Sequence, residues 1–428
     1  MSMEIKTVKD YGAWGDGDSR HADEDTRAFR LALEQLEEEG ENPARWISIP
    51  AGTYYINETL VYRTDEQEAP GLTLFGAGMY NTILVNRVFN GPLLRLEGGR
   101  NTSQTQKGGR IADFSIVRTP LSMAIPSIVE NQRPRIVVPS TVESHRIPGP
   151  SIAISPKCGI EFRSVWHCDV ERIRIEGLEG SGIQVGSYAD ARRREGGDSD
   201  SSAYLRFKNC IFKQNGYGMN FISAPRTLGI AQVSIEDSDI TGNASGGIRG
   251  DGVGIFTVRG CDIYTNGRTH DDHGGIHICY NGENSQVVIV ENCNLGKSNY
   301  PASIWLETSI CGEISRNRFV RGESDRDTKG VYIGPPASPD GNGFVYEFAC
   351  RQNWFDVEFR SNHDEYVIGN IYNAFHIEDI IRNFYIEKTR FSNIFSSRPS
   401  KRIEKLLVGD GVNSTWYDFD DRSRFIDE

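Results

Sequence analysis

The sequence lacks long hydrophobic runs, a signal peptide and any clustered excess of lysine. No stretch of 18 apolar residues occurs in the 428-residue chain, which excludes a transmembrane helix and a membrane partner. The N-terminus has no apolar signal-peptide core, so we expect a protein that is cytoplasmic, virion-associated or trimmed from a secreted precursor. The net charge of −12 and only 11 lysines argue against a nucleic-acid partner, because phosphate contacts need clustered basic residues. An anionic polysaccharide is still allowed, since a local basic groove can lie on an acidic surface.

Paired cysteines are also lacking. The eight cysteines are scattered singly, and none forms the Cys-x-x-Cys pair that would indicate a zinc ribbon. Cysteines of this kind usually act as small buried hydrophobic residues. The 25% charged residues and the mean hydropathy of −0.46 are typical of a globular protein, and the 45 glycines call for a fold with many tight corners.

Helix signals are scarce as well, and the one clear amphipathic helix lies near the N-terminus. Acidic residues from Asp23 to Asp25 precede it and Gly40 follows it. Its apolar residues at helical spacing are Phe29, Ala32, Leu33 and Leu36. From there to about residue 375 the chain reads as short β-rich runs separated by Gly, Asn and Asp turns.

A small or amide side chain recurs at a nearly regular interval through the second half of the chain. The intervals are 28, 23, 32, 24 and 36 residues. Small and amide side chains stack well when equivalent turns lie above one another. The recurring residues are Cys210, Ser238, Cys261, Cys293, Asn317 and Asn353.

A second short strand follows each of the first five of these positions. Its polar or aromatic member recurs after 29, 28, 28 and 27 residues. The members are Asn220, Arg249, His277, Trp305 and Tyr332. A constant period with short strands and no repeated helix predicts an all-β solenoid, a parallel β-helix with an N-terminal capping α-helix. A β-sandwich with accidental spacing is the alternative.

The solenoid period predicts one domain over residues 1–428, because a solenoid grows by adding turns. Seven of the seventeen prolines fall in a Pro-rich insertion at 118–158, and residues 189–202 form a charged loop. Either segment would wall a groove or contact another subunit. The expected parts are 1–60 for the cap and first coil, 61–370 for the coils, and 371–428 for a closing segment.

The N-terminal motifs carry a family resemblance. They are Asp10–Ala13, Gly15–Gly17, Asp25–Thr26, Ile49–Tyr54, Leu74–Gly78 and Thr82–Leu84. Their order resembles the pectate-lyase-like superfamily of right-handed parallel β-helices. The resemblance implies a right-handed coil and, from the members of that superfamily, an activity on polysaccharides. The family's chemical motifs, such as Asn-Thr-Asp, Gly-His-Gly and Asp-Pro-His, are absent, so the resemblance does not imply a reaction type.

Strand alternation predicts one column of outward side chains. If Ile248, Ile276 and Ile304 point into the core, the residues that follow them point outward and stack about 4.8 Å apart. The column is Arg249, His277, Trp305 and Tyr332, with Glu161, Gln184 and Asn220 continuing it in earlier coils. We expect a solvent-facing stripe that binds a sugar chain, with Asn220, Arg249, Trp305 and Tyr332 as binding residues. A subunit interface, in a homotrimer for example, is the alternative.

Candidate catalytic groups lie two residues further along the same strands. Asp251 and Glu307 would be two coils apart, about 10 Å between backbones. An inverting hydrolase places its acid and base about 6.5–9.5 Å apart, so this pair is admissible, with His277 between the two carboxylates. Asp251 as a simple turn residue is the alternative, because Gly flanks it on both sides.

A polar cluster precedes the His277 strand. Asp271, Asp272 and His273 are candidates for substrate binding, for general acid–base work, or for weak Ca²⁺ binding. A solvated loop is the alternative. Apart from this weak Ca²⁺ signal, we expect no cofactor and no other metal.

Together these features favour a carbohydrate-active enzyme that cleaves glycosidic bonds by acid–base hydrolysis. Three alternatives stay open. One is β-elimination on a uronate polymer, in which Arg249 would neutralise the carboxylate and His277, Tyr332 or Arg249 would act as base. The others are cyclising transfer on a fructan-like chain and non-catalytic glycan binding by a tailspike-type module.

Overall fold

The computed structural model describes most of the first three quarters of the chain and a few strands beyond. The described residues are 5–38, 45–64, 71–98, 106–118, 157–186, 202–222, 230–268, 273–279, 286–296, 299, 302–306, 310–320, 329–333, 344–351, 353–356, 373–377, 380–387 and 403–408. Most of the Pro-rich insertion and the charged loop at 189–202 lie outside them. No helix among the described residues is long and apolar enough to cross a membrane.

The N-terminal helix spans Ala22–Glu38 and follows two short 3₁₀ helices, Val8–Tyr11 and Ser19–His21. Its apolar face joins the core through Phe29, Leu33 and Leu36, as the helical spacing predicts. Burying one such side chain contributes about 1.5–3 kcal/mol. The helix packs on the first strands and covers the end of the solenoid, where exposed strand edges would otherwise invite aggregation.

Asp25 ties this helix to the first coils. Its buried carboxylate accepts hydrogen bonds from the backbone N–H groups of Trp14 and Gly15, at 2.7 and 3.2 Å, and from that of Tyr55 at 3.2 Å. Burial nevertheless raises the pKa of Asp25 above its ordinary value. The sequence predicts Asp23–Asp25 to lie before the helix, whereas the helix already begins at Ala22, so these residues form its first turn.

Ten described strands form one all-parallel sheet, each pairing with the equivalent strand of the next coil. Strands related by one coil pair directly because every coil repeats the same path. In chain order they are Leu60–Arg63, Leu94–Glu97, Ile160–Arg163, Ser181–Val185, Tyr217–Ile222, Gly246–Asp251, Ile276–Cys279, Ala302–Leu306, Lys329–Ile333 and Asn373–Ile377. We call this the ten-stranded sheet.

The remaining walls of the coils are one larger parallel sheet and one short pair of strands, Gln106–Lys107 with Val165–Trp166. Among the described residues the larger sheet has 21 strands. They are Lys6–Thr7, Trp46–Ile49, Gly52–Ile56, Thr73–Gly76, Thr82–Asn86, Arg110–Arg118, Asp169–Glu176, Leu205–Lys208, Ile211–Lys213, Ile230–Glu236, Asp239–Thr241, Val253–Arg259, Asp262–Tyr264, Gln286–Glu291, Asn294–Gly296, Ile310–Ser315, Arg318–Val320, Phe344–Arg351, Trp354–Asp356, Ile380–Glu387 and Ile403–Val408.

The recurring small and amide residues form an interior ladder, as their spacing predicts, although they lie at a corner between two strands. The residue before each of the first five ladder positions takes a left-handed conformation that turns the chain, with φ of 53° at Asn209 and 62° at Gly260. The backbone N–H of Cys210 donates to the Ser238 hydroxyl oxygen at 3.1 Å, and that of Cys293 to the Asn317 amide oxygen at 2.9 Å. All six ladder residues are buried.

A second interior ladder at the next corner has no counterpart in the sequence predictions. It consists of Asn215, Asn243, Asn266 and Asn299, all buried. Each amide oxygen accepts the backbone N–H of the previous ladder member, at 3.0–3.1 Å. The Nδ2 groups donate to interior carbonyls, as Asn243 does to Phe212 at 3.1 Å. We call this the asparagine ladder. It satisfies backbone groups that the corner would leave buried without partners.

Candidate functional site

One outward column crosses the ten-stranded sheet, and its register matches the sequence prediction. Asn220 pairs with Arg249, Arg249 with His277, His277 with Trp305, and Trp305 with Tyr332. In earlier coils Arg95 precedes Glu161, Gln184 and Asn220. Ile248, Ile276 and Ile304 directly precede column residues in the sequence and are fully buried in the core. Strand alternation therefore places the side chains of the column residues on the opposite, outer face of the sheet. We call this set the outer column.

The prediction of a solvent-facing stripe is wrong for most of the outer column. His277 is only 2% exposed and Asn220 only 6%, while Glu161 and Gln184 are buried. The Arg249 side chain retains 19% exposure and Trp305 is half-buried. Alternation tells which sheet face a side chain occupies, whereas exposure also depends on the segments that cover that face. The outer column is therefore largely buried, with its accessible part around Arg249 and Trp305.

The aromatic rings of the outer column stack on one another. The His277 and Trp305 ring centroids are 4.0 Å apart with planes at 7°. The His273 ring lies 4.7 Å from that of His277 at 27°. One face of the Trp305 indole is thus occupied by His277, which leaves that face unavailable to a sugar ring. The stack fixes the His277 ring plane.

His273 enters this site from the turn before the His277 strand. Its ring approaches that of Tyr217 at 5.6 Å, two coils away. A Cβ atom on Gly246 would lie 3.1 Å from the His273 Cβ, so the missing side chain makes room for His273. Burial, together with the nearby His277 and Arg249, lowers the pKa of His273 well below its ordinary value. The His273 imidazole is therefore neutral at pH 7.

A second outward position lies two residues beyond the outer column and carries Asp251 and Cys279, which are in register. Asp251 is the last residue of its strand rather than part of a loop, and its carboxylate lies 3.9 Å from the Arg249 guanidinium. The Cys279 thiol lies 3.7 Å from Nε2 of His277, and its side chain is buried. A carboxylate, a guanidinium, an imidazole and a thiol thus meet within two neighbouring coils.

The earlier coils hold a buried ion cluster. The Glu161 carboxylate is fully buried and accepts from Nε of Arg95 at 2.6 Å and from a terminal nitrogen of Arg163 at 2.8 Å. Two guanidinium groups compensate this charge, which would otherwise be costly to bury. Next to it Asn220 donates to the Gln184 side-chain oxygen at 3.1 Å. The Asn220 side-chain oxygen is buried and has no hydrogen-bond partner within the part of the chain that the structure describes.

Several predicted site residues fall outside what the structure describes. They are Glu307, Asp271 and Asp272. Tyr332 lies on a described strand in register with Trp305, but its side chain is not among those described. The predicted binding residues Asn220, Arg249, Trp305 and His273 and the predicted catalytic residues Asp251 and His277 are brought to one face of the sheet.

Sequence reasoning missed Tyr217, the part that Gly246 plays, and the contact of His273 with the outer column. Tyr217 and Gly246 are themselves in register, three positions before Asn220 and Arg249. This odd spacing means that strand alternation does not assign Tyr217 to the outer face, so the sequence pattern carried no signal for its contact with His273. The approach of His273 depends on the path of the preceding turn, for which alternation makes no prediction.

Three of these side chains could hold a metal ion. His273, His277 and Cys279 each offer one ligand atom, and these atoms lie within 4.8 Å of one another. The ligands are nitrogen and sulfur, whereas Ca²⁺ takes oxygen ligands, so this group does not match the Ca²⁺ reading of the polar cluster.

Known structures share this fold at low sequence identity. A Streptococcus pneumoniae surface protein and adhesin, PfbA, is 11% identical with a TM-score of 0.57, covering 96% of this chain and 95% of that chain. DFA-IIIase from Arthrobacter chlorophenolicus A6, without its lid and in complex with GF2, is 12% identical with a TM-score of 0.59, covering 99% and 96%. The DFA-IIIase complex with GF2 in a further structure is 11% identical with a TM-score of 0.55, covering 95% and 93%.

The fold is thus shared with an enzyme that acts on carbohydrate and with an adhesin. No curated protein matches the chain. A protein-family model matches residues 158–377. This range includes the outer column from Glu161 through His277 to Trp305. This match covers half of the sequence, and it agrees with the parallel coils. The chain is a right-handed parallel β-helix and belongs to the family described as the right handed beta helix region.

Proposed function

We propose that the protein binds a carbohydrate chain across the outer column and cleaves a glycosidic bond beside it. The observation that carries this proposal is the largely buried polar column itself. Polar side chains normally face water on an outer sheet face, whereas here Asn220 and His277 are buried and Arg249 and Trp305 are only partly exposed. A few convergent polar groups beside aromatic rings are typical of ligand sites.

The hydrogen-bonding groups suit sugar hydroxyls. A hydroxyl both donates and accepts, so it matches an amide oxygen, a guanidinium and a carboxylate. The Asn220 side-chain oxygen is an acceptor without a hydrogen-bond partner among the described residues, and Arg249 is the cationic group one coil further. Trp305 supplies apolar ring surface beside these groups, apart from the indole face that His277 covers. An uronate carboxylate would bind at Arg249.

For the reaction we assign Asp251 as general base and Glu307 as its carboxylic acid partner. The Arg249 guanidinium lies 3.9 Å from the Asp251 carboxylate and suits its ionised form, which is the form a base needs. Hydrolysis with inversion requires two carboxyl groups with room for a water molecule between substrate and base. Glu307 follows the described strand Ala302–Leu306 directly in the sequence.

Glycan binding without cleavage is a second candidate. It is favoured by the state of the described carboxylates on this face, since Glu161 is held by Arg95 and Arg163 and Asp251 lies near Arg249. A carboxylate held by guanidinium groups positions a ligand more readily than it donates a proton. The same surface then serves adhesion rather than catalysis.

A polysaccharide panel separates these functions. The full chain is incubated with neutral, uronate-containing and fructan polymers, and both reducing ends and the absorbance of unsaturated uronates are followed. New reducing ends without absorbance support hydrolysis, whereas both signals together indicate β-elimination instead. Binding without either signal supports the second candidate. If the protein neither binds nor changes any polymer of the panel, the carbohydrate proposal is overturned.

A further inference from the structure

The geometry points to a transition-metal site on the outer face of the ten-stranded sheet. We propose that His273, His277 and Cys279 together hold one zinc-class divalent ion. His277 and Cys279 are two residues apart on one strand, so alternation places both side chains on the same face. His273 completes the group from the turn before that strand. Their three ligand atoms, one from each residue, all lie within 4.8 Å of one another.

The ligand set determines the class of ion. Two imidazoles and one thiol are borderline-soft ligands, which suit Zn²⁺ and Co²⁺ rather than Ca²⁺ or Mg²⁺. Three protein ligands leave one position of a tetrahedral ion open to water or to another ligand. These two ligand types bind Zn²⁺ at about 2.0–2.1 Å through nitrogen and about 2.3 Å through sulfur. Small side-chain movements would bring the present spacing to those distances.

The His277 ring lies between the other two ligand residues. Nδ1 of His273 faces Nδ1 of His277 in a contact shorter than an ordinary hydrogen bond, and Nε2 of His277 faces the Cys279 sulfur at 3.7 Å. An imidazole binds one ion through one nitrogen, so His277 would bind the ion through Nδ1 or through Nε2. The third ligand would then reach the ion by a side-chain rotation.

The surroundings hold the ligands in place before an ion arrives. Trp305 stacks on His277 at 4.0 Å and fixes its ring plane, while Tyr217 packs against His273. Contacts of this kind orient metal ligands and raise affinity. His277 and Cys279 are buried, which limits competition from water for their ligand atoms.

The interior cysteines provide a contrast. The thiols of Cys210, Cys261 and Cys293 donate to backbone carbonyl oxygens at 3.2–3.3 Å inside the solenoid. These thiols are therefore engaged as hydrogen-bond donors within a structural ladder. Cys279 faces an imidazole on the outer side of the sheet instead.

The proposed ion site does not depend on the carbohydrate proposal, because ion binding is measured without any glycan. If both proposals hold, His277 serves as a ligand while the ion is bound, and proton transfer stays with Asp251. Loss of one proposal therefore leaves the other open to its own test.

A cobalt titration tests the site on the full chain after treatment with a chelator. We expect one equivalent of Co²⁺ to bind with a sulfur-to-cobalt charge-transfer band and the visible bands of a tetrahedral ion, and Zn²⁺ to displace it. Cys279→Ser should abolish the charge-transfer band, and His273→Ala should weaken Co²⁺ binding by at least about tenfold. Cys261→Ser is the matched control, because Ser238 occupies the same ladder position one coil earlier, and it should keep the full spectrum.

X-ray absorption on the zinc-loaded wild-type protein gives a second test that needs no variant. The proposal expects one sulfur scatterer at about 2.3 Å and nitrogen scatterers at about 2.0–2.1 Å. The proposal is overturned if no saturable binding is found, if the bound ion has only oxygen and nitrogen neighbours, or if Cys279→Ser keeps the charge-transfer band.

Discussion

Two columns of polar side chains run through the same coils, and they differ in how their hydrogen bonds are satisfied. The asparagine ladder repeats one residue type, and each amide bonds to the backbone in the same way in every coil. The outer column changes residue at each coil, from Asn220 to Arg249, His277 and Trp305. Each member of the outer column stacks on, or lies near, a side chain of a different residue type.

This difference separates structural repetition from a site. The same corner recurs in every coil, and it leaves the same buried backbone groups in need of hydrogen-bond partners. The same amide side chain is therefore needed at that corner in every coil. The outer face has no such requirement, so a run of unlike and largely buried polar groups on it needs another reason. We infer that the asparagine ladder holds the coils together and that the outer column acts on a ligand.

The largest expected effect is on the outer face. Asp251→Asn should lower the rate of glycosidic cleavage by about 10²–10⁴-fold, because it removes the assigned general base while keeping the shape of the side chain. The rate is measured from reducing ends on the polymer that the panel identifies. Asp262→Asn on the other sheet is the matched control and should keep the rate. Equal rates for wild type and Asp251→Asn would remove Asp251 from the reaction.

The next effect is on the asparagine ladder. Asn243→Ala leaves the buried N–H of Asn215 and the carbonyl of Phe212 without this amide. Each unsatisfied group costs about 1–3 kcal/mol, so the free energy of unfolding should fall by about 2–6 kcal/mol. Urea unfolding measures the change. Asn294→Ala, whose side chain bonds to Asp262 at an exposed site, should cost less than about 1 kcal/mol. Similar costs for the two variants would contradict a structural role for the ladder.

A pH-dependent effect on the free energy of unfolding is expected at Asp25. Its buried carboxylate has no cationic partner among the described residues, whereas the buried carboxylate of Glu161 is paired with two guanidinium groups. Burial raises the folded-state pKa of Asp25 above 3.8. The unfolded state therefore loses this proton first as the pH rises, so Asp25 favours folding at low pH and this contribution fades through the raised pKa. Relative to Asp25→Asn, the wild-type urea midpoint should improve as the pH falls from 7 to about 4. A difference between the two proteins that is independent of pH would show that Asp25 does not titrate in this range.

The smallest effect is expected at the cysteine positions of the first ladder. Cys261→Ser should change the free energy of unfolding by less than about 1 kcal/mol, because a hydroxyl replaces a thiol that donates to the Arg259 carbonyl at 3.2 Å. Ser238 already fills the equivalent position in the coil before. Urea unfolding measures this as well. A loss comparable to that of Asn243→Ala would mean that the thiol has a specific role.

Much of the fold could be predicted from the sequence because the coil repeats itself. The apolar residues Ile248, Ile276 and Ile304 recur at the coil period, and strand alternation then assigns their neighbours to the outer face. The ladder from Cys210 to Asn353 was visible for the same reason. The asparagine ladder was missed although its members also recur, after 28, 23 and 33 residues, because they lie in turns where no strand pattern marks them.

The site was less predictable, since its details depend on contacts between segments. Periodicity placed Arg249, His277 and Trp305 in one column, but burial of His277 depends on what covers the sheet. The approach of His273 depends on one turn and on the missing side chain of Gly246. A pattern of single residues along one chain contains neither kind of information.

The most direct test of the central claim compares one variant from each column in two assays. Glycan affinity and the urea midpoint are measured for Trp305→Ala and for Asn243→Ala. We predict that Trp305→Ala lowers glycan affinity by about tenfold, or about 1.4 kcal/mol, with little change in the midpoint, whereas Asn243→Ala lowers the midpoint and keeps the affinity of the folded protein. Unchanged glycan affinity in Trp305→Ala, with a lowered midpoint like that of Asn243→Ala, would contradict the claim that the outer column is the ligand site.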